Sequence, residues 1–180
     1  LEYEGYCNKI RKGLEDLDEK SGERALWELV QNARDMSSES RIKIELTDTN
    51  IIFSHHGKPF DYTSFRALVK QDSAKDRNGA DQVGQYGTGF VTTHTFNRLV
   101  YVSGPYVVKN GKETIKGYVQ VKDFELDRTL VDKEEGPKKM KEQLEKVKQF
   151  WKGDLLHEIS DDATSFRYDL TPLQIRNVSE

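Results

Sequence analysis

Three polar side chains near the start of the chain recur at the spacing of one helix face. Glu28, Asn32 and Asp35 stand at positions i, i+4 and i+7, so a helix would place all three on one side. A carboxamide oxygen is a hard, neutral ligand that suits Mg²⁺, and a nearby carboxylate can orient an attacking water. Taken alone, the pattern is more typical of a solvated helix face. A separate apolar stripe, predicted to face the core, comprises Leu26, Val30 and Ala33.

A second candidate for chemistry is a stretch with three glycines, which directly precedes an apolar run that we predict to be helical to about residue 96. Glycine lets the backbone approach a ligand closely, and a helix that begins there presents free N–H groups to an anion. These features predict a phosphate-binding loop, although a structural turn with a helix cap would use similar residues. No Gly-Lys-Ser or Gly-Lys-Thr follows, so the stretch is not a P-loop. Its residues are Gly84, Gln85, Tyr86, Gly87, Thr88, Gly89 and Phe90.

Two further positions lie beside predicted strands. His55, His56 and Gly57 follow a short strand, at a place where ligand contacts are common. Adjacent side chains on an extended chain point to opposite sides, which argues against a metal site built from the histidine pair. Thr164 begins the last predicted strand and is, by itself, an ordinary strand residue.

The elements that would position these residues alternate between helices and strands. Helices are predicted over residues 1–20, 21–36 and 62–69, and a later helical stripe comprises Met140, Leu144, Val147 and Trp151. Strands are predicted over residues 41–46, 51–54, 99–103, 117–124 and 164–170. In the first of these, Ile42, Ile44 and Leu46 alternate with charged residues and would form its buried face. The pattern predicts a two-layer α/β sandwich with a mixed, mostly antiparallel sheet and helices on one face.

The overall composition limits the classes of function. The chain has 180 residues, enough for one domain, and its net charge of −3 argues against broad nucleic-acid binding by this domain. Cys7 is the one cysteine, which suits a reducing, cytoplasmic location, and no apolar run is long enough to span a membrane. Because the chain begins with Leu1 and its last ten residues look like a continuing chain, we expect an N-terminal fragment of a larger protein. Residues 70–83 are polar and almost free of apolar side chains, as in a mobile functional loop or a disordered segment.

Taken in order, these motifs resemble the four ATP-site motifs of the Bergerat-fold (GHKL) superfamily of gyrase, heat-shock chaperone, histidine kinase and mismatch-repair ATPases. The similarity is closest to the ninety-kilodalton heat-shock chaperone branch, and it rests mainly on residues 28–35 and 84–90. The resemblance implies that Glu28 is the general base, that Asn32 binds Mg²⁺ and that Asp35 shapes the nucleotide pocket. It also implies that the backbone of residues 85–90 holds the phosphates and that residues 70–83 form a lid over ATP. Thr164 would reach the adenine end through its hydroxyl group or a water.

One departure from the family pattern affects the residue expected to recognise the adenine base. The family usually has an aspartate in an Asp-x-Gly-x-Gly motif that accepts the adenine amino proton. Here that position is His55, Gly57 is kept and Pro59 replaces the second glycine. The leading interpretation is therefore a slow, Mg-dependent ATPase domain, completed by a downstream domain or a second subunit. The alternatives are a nucleotide sensor that does not hydrolyse ATP and an interaction module that has kept the fold without the ligand.

Overall fold

Five strands form one antiparallel sheet in a computed structural model, which describes residues 2–37, 39, 41–71, 88–111 and 114–180. The strands lie in the order β1-β2-β5-β3-β4, so β5 is inserted between two hairpins. Their bounds are β1 Ile42–Leu46, β2 Asn50–His56, β3 Leu99–Asn110, β4 Thr114–Asp127 and β5 Ala163–Asp169. With the helices below, this sheet confirms the predicted two-layer α/β fold.

The helices form the second layer. Their bounds are α1 Glu2–Glu15, α2 Ser21–Met36, α3 Tyr62–Lys70, α4 Gly136–Lys148 and α5 Pro172–Ser179, with 3₁₀ helices at Thr88–Thr95 and Phe150–Lys152. Local sequence explains where α3 begins: the Asp61 side chain accepts a hydrogen bond from the Ser64 amide at 2.8 Å, and the Ser64 hydroxyl accepts one from the Asp61 amide. This reciprocal capping satisfies two of the free donors at the helix start.

One apolar core lies between the two layers. In β2, Ile51 and Phe53 are buried, and in β5 Phe166 and Tyr168 are buried, while their neighbours in sequence are more exposed. Most of the buried apolar residues of these strands and of the first four helices belong to one hydrophobic cluster. The period-two burial therefore turns one face of the sheet towards the helices.

Two predicted core contributions are wrong. Ile44 and Leu46 are 47% and 39% exposed, because β1 is an edge strand of the sheet. Trp151 is 54% exposed, since α4 ends at Lys148 and the residue falls in a 3₁₀ turn with a different phase. The other three members of that stripe, on α4, are buried as predicted.

The predicted lid, residues 70–83, falls mostly outside the described residues, and its first two residues belong to the core. Lys70 ends α3 and is buried, with its ammonium group 4.6 Å from the centre of the Tyr6 ring. Gln71 is also buried and adopts the left-handed conformation (φ 52°) that ends the helix. Any lid therefore begins after Gln71. Among the described helices, none has the length and apolar character needed to cross a bilayer.

Candidate functional site

Glu28 lies directly against the end of the glycine stretch. It occupies the middle of α2, which packs on the Thr88–Thr95 3₁₀ helix. A Cβ atom added to Gly89 would lie 2.5 Å from Glu28 Cδ and 2.7 Å from Oε1. The Glu28 carboxyl group, at the far end of a flexible side chain, would have to shift to make room for that Cβ atom. The carboxyl group is half-buried, and this burial raises its pKa, which makes the carboxylate a stronger base than an exposed glutamate.

Asn32 follows Glu28 by one turn and is 8% exposed. Its Nδ2 atom is buried and has no hydrogen-bond partner among the described residues. An unsatisfied buried amide is costly and calls for a ligand or a water. Rotation of the Asn32 amide by 180° about the Cβ–Cγ bond would put Oδ1 in the place of Nδ2. The amide therefore fits either a phosphate acceptor or a hard cation such as Mg²⁺.

The third member of the predicted helix face is set apart from these two. Asp35 lies in the last turn of α2 and is exposed. The core stripe of α2 also differs from the prediction, because Leu26 and Val30 are only partly buried. The side that faces the core comprises Ala25, Leu29, Asn32, Ala33 and Met36. Asn32 is therefore drawn inwards with Ala33, its neighbour in sequence.

The helical run after the glycines is a 3₁₀ helix rather than the α-helix that its apolar character indicates. Its sequence, TGFVTTHT, contains a glycine and several β-branched residues, which disfavour an α-helix. Phe90 anchors it: the side chain is fully buried, with its ring centre 5.3 Å from that of Phe166. Thr88 is its first residue. Gly84, Gln85, Tyr86 and Gly87 lie outside the described residues.

His55 and Thr164 face each other across adjacent strands. They are direct partners in the β2–β5 pairing and are 1% and 3% exposed, on the face of the sheet that carries the core. The His55 ring lies between those of Phe53 and Phe166, 6.3 and 6.4 Å away. Burial lowers the pKa of His55, so the imidazole is neutral at pH 7.

Gly104 is a third member of this group that the sequence analysis missed. Its φ is +153°, a backbone conformation that favours glycine, and an added Cβ would lie 2.9 Å from Thr164 Oγ1. The glycine lets β3 come close to the Thr164 hydroxyl. The available signal was a glycine inside an apolar strand pattern, which commonly marks a close backbone approach.

Gly57 ties the loop after His55 to α2. Its φ is +155°, and an added Cβ would lie 3.3 Å from both Met36 Cβ and Ser37 Cβ. The next amide, of Lys58, donates to the Met36 carbonyl at 3.3 Å. This contact fixes the histidine end of the candidate site to the helix that carries Glu28 and Asn32.

The second histidine belongs to a different surface. His56 points away from His55, as predicted, and its Nδ1 atom contacts Asp162 Oδ1. Asp161 completes a group whose potential ligand atoms lie within 4.8 Å of one another. Both aspartates are exposed, and Asp161 also accepts a hydrogen bond from the Ala163 amide at 2.9 Å. Local hydrogen bonding and ion pairing account for this group.

No protein-family model, curated protein or solved structure matches this chain.

Proposed function

We propose that this chain is a Mg-dependent ATP-binding domain that hydrolyses ATP slowly and acts as the switching module of a larger, chaperone-like protein. The observation that carries the proposal is the Glu28 carboxyl group held against Gly89, at the entry to the helix that follows the glycine stretch. Hydrolysis of a phosphoanhydride uses a base that activates the attacking water and backbone groups that hold the phosphate beside it. The motif order that resembles the GHKL superfamily supports the same conclusion.

In the proposed reaction, Glu28 accepts a proton from the water that attacks the terminal phosphate. Its partial burial supports this role, because a raised pKa brings the base closer to the working pH. The reaction requires the ionised form, so the hydrolysis rate should fall when the pH drops through the Glu28 pKa. The free N–H groups at the start of the 3₁₀ helix would bind phosphate oxygens while the carboxylate remains beside them.

Asn32 is the residue that would hold the metal ion. Its buried amide without a partner fits this role, and the bound Mg²⁺ would neutralise charge on the phosphates. The nucleotide base would lie towards His55 and Thr164. The single free cysteine is compatible with the reducing, cytoplasmic location that we propose.

Substitutions of three residues on α2 separate the binding of Mg-ATP from its hydrolysis. We expect Glu28→Gln to retain Mg-ATP affinity and to lose single-turnover hydrolysis by ~10²-fold or more, as for a general base. Asn32→Ala should weaken binding only when Mg²⁺ is present. Glu23→Gln is the matched control, since Glu23 is an exposed glutamate on the same helix. It should behave like the wild type in both assays.

The outcomes also distinguish the alternatives. Equal hydrolysis by the wild type and Glu28→Gln would remove the proposed base. Binding without turnover in the wild type would indicate a nucleotide sensor. If the domain gains no stability with Mg-ATP in large excess, it is an interaction module, because ATP at ~100 times its dissociation constant should add about 2.7 kcal/mol.

A further inference from the structure

The first strand of the sheet has one open edge. β1 stands at the end of the strand order and, in the described part of the chain, pairs with β2 alone. The His56 amide donates to the Arg41 carbonyl at 3.1 Å, so the backbone groups of Arg41 face β2. Since these groups alternate in direction along a strand, the open edge receives the N–H and C=O groups of Ile42, Ile44 and Leu46.

The side chains of the same three residues lie on the face of the sheet that carries the core, and two of them are largely exposed. Ile44 pairs with the buried Phe53 of β2 but is 47% exposed. Leu46 pairs with the buried Ile51 but is 39% exposed. An open strand edge that also presents apolar side chains is a template for pairing with a further strand.

The opposite face of β1 carries one charge of each sign. Lys43 Nζ lies 2.8 Å from Glu45 Oε1, and both side chains reach solvent. From residue 42 to residue 46 the order is therefore apolar, positive, apolar, negative, apolar. This order is complementary to itself when the strand is reversed. In an antiparallel pair of two such strands centred on Ile44, Lys43 of each copy lies opposite Glu45 of the other.

Charge selects this register among those that keep the apolar residues on one face. A pair centred on Lys43 would place two lysines directly opposite each other, and a pair centred on Glu45 would do the same with two glutamates, which is destabilising. In the pair centred on Ile44, each Lys–Glu contact falls at a position without backbone hydrogen bonds, where opposing side chains are closest. A lysine on an edge strand commonly prevents pairing, but here Glu45 supplies its partner in the second copy.

We propose that β1 is the contact surface of a symmetric dimer of this chain, in which two β1 strands pair antiparallel about a two-fold axis at Ile44 and join the two sheets. The same patch then serves both copies, as a closed two-fold interface requires. Ile44 and Leu46 are covered by the apolar residues of the second copy. One strand pair is smaller than the interface of a stable complex, so the dimer is weak. The contact is independent of nucleotide binding.

Sedimentation equilibrium of the wild type between ~10 µM and ~1 mM covers the range expected for a weak interface. The average mass should rise from that of the monomer towards twice that value. Ile44→Pro removes an N–H group that points outwards and leaves the bonds to β2 intact. It should stay folded in urea titrations and remain monomeric at every concentration. A wild type that stays monomeric, or a dimer that Ile44→Pro leaves unchanged, overturns the proposal.

Charge reversal tests the register with exposed residues only. Lys43→Glu or Glu45→Lys replaces two ion pairs by two like-charge contacts and should raise the dissociation constant by ~10-fold or more. The double variant Lys43→Glu/Glu45→Lys restores opposite charges and should regain the wild-type affinity. Glu125→Lys is the matched control, since it makes the same charge change on the exposed surface of β4, the opposite edge strand, and should dimerise like the wild type. Failure of the double variant to regain affinity excludes this pairing and overturns the proposal.

Discussion

Gly89→Ala is the substitution that most directly tests how the candidate site is built. The added Cβ would lie 2.5 Å from Glu28 Cδ, whereas ordinary contacts begin near 3.4 Å. The carboxyl group would therefore have to retreat by about 1 Å. A misplacement of ~1 Å can cost ~10²-fold in rate, which corresponds to about 2.7 kcal/mol in the activation barrier. We expect this loss in hydrolysis with a much smaller change in Mg-ATP affinity, because backbone groups hold the phosphates.

The assay for Gly89→Ala combines single-turnover hydrolysis, calorimetric binding of Mg-ATP and urea unfolding. Gly22→Ala is the matched control, since Gly22 lies in α2 and a Cβ there would meet nothing within 4 Å. The double variant Gly89→Ala/Glu28→Ala supplies the internal check. Glu28→Ala removes the carboxyl group and with it the clash, so Gly89→Ala should cost less stability in the Glu28→Ala background than in the wild type. Wild-type hydrolysis by Gly89→Ala would refute the proposed arrangement of base and glycine.

Three further predictions concern histidines and turnover. Neutral His55 can accept a hydrogen bond from the adenine amino group and protonated His55 cannot. Because burial lowers the pKa of His55 below the ordinary value of ~6.5, ATP affinity should hold at pH 6.5 and fall only at lower pH, whereas His55→Asp should bind ATP more tightly and with a flatter profile just below pH 6.5. Coinciding ATP and GTP affinity curves for the two proteins between pH 5.5 and 8 would contradict this. Burial lowers the pKa of His94 to about 3, so this side chain is protonated near pH 6.5 in the unfolded chain but stays neutral in the folded chain. The free energy of unfolding in urea should therefore fall as the pH drops from 6.5 towards 3, and it should fall less steeply in His94→Asn. Parallel pH profiles for the two proteins would exclude His94 as the cause. The isolated domain should hydrolyse ATP more slowly than ~1 per second. Lys70 is held over the Tyr6 ring, and the positive charge that stabilises the transferred phosphoryl group can come from another domain. A faster steady-state rate would show that the site has all its catalytic groups without another domain.

The fold could be predicted because burial follows simple periods in most elements. The helical spacing in α4 identified the core positions Met140, Leu144 and Val147 correctly, and the last strand lies within one residue of its predicted bounds. The long hairpin of β3 and β4 was predicted too short, because Gly104 and Pro105 look like the end of a strand. The structure continues both strands past this point through a register shift between Val102 and Gly104.

The orientation of α2 shows what the sequence could not determine. Its apolar residues form two stripes at helical spacing, one through Leu26 and Val30 and another through Ala25 and Leu29, and either could face the core. The second is buried, because α2 packs on the 3₁₀ helix as well as on the sheet side of the core. That choice rotates Asn32 into the protein and leaves Asp35 in solvent. Tertiary packing, which sequence periodicity does not encode, therefore fixes which polar residues meet.

The polar groups at the candidate site are arranged at a cost to stability. The partner missing from the Asn32 amide costs roughly 1–3 kcal/mol, and partial burial opposes the charge on Glu28. A ligand that bonds to the amide and brings a cation close to the carboxylate would offset both terms at once. These two residues lie one turn apart on α2, and the Glu28 carboxyl group lies against Gly89. Stability lost at such a cluster of polar groups is what a binding site is expected to show.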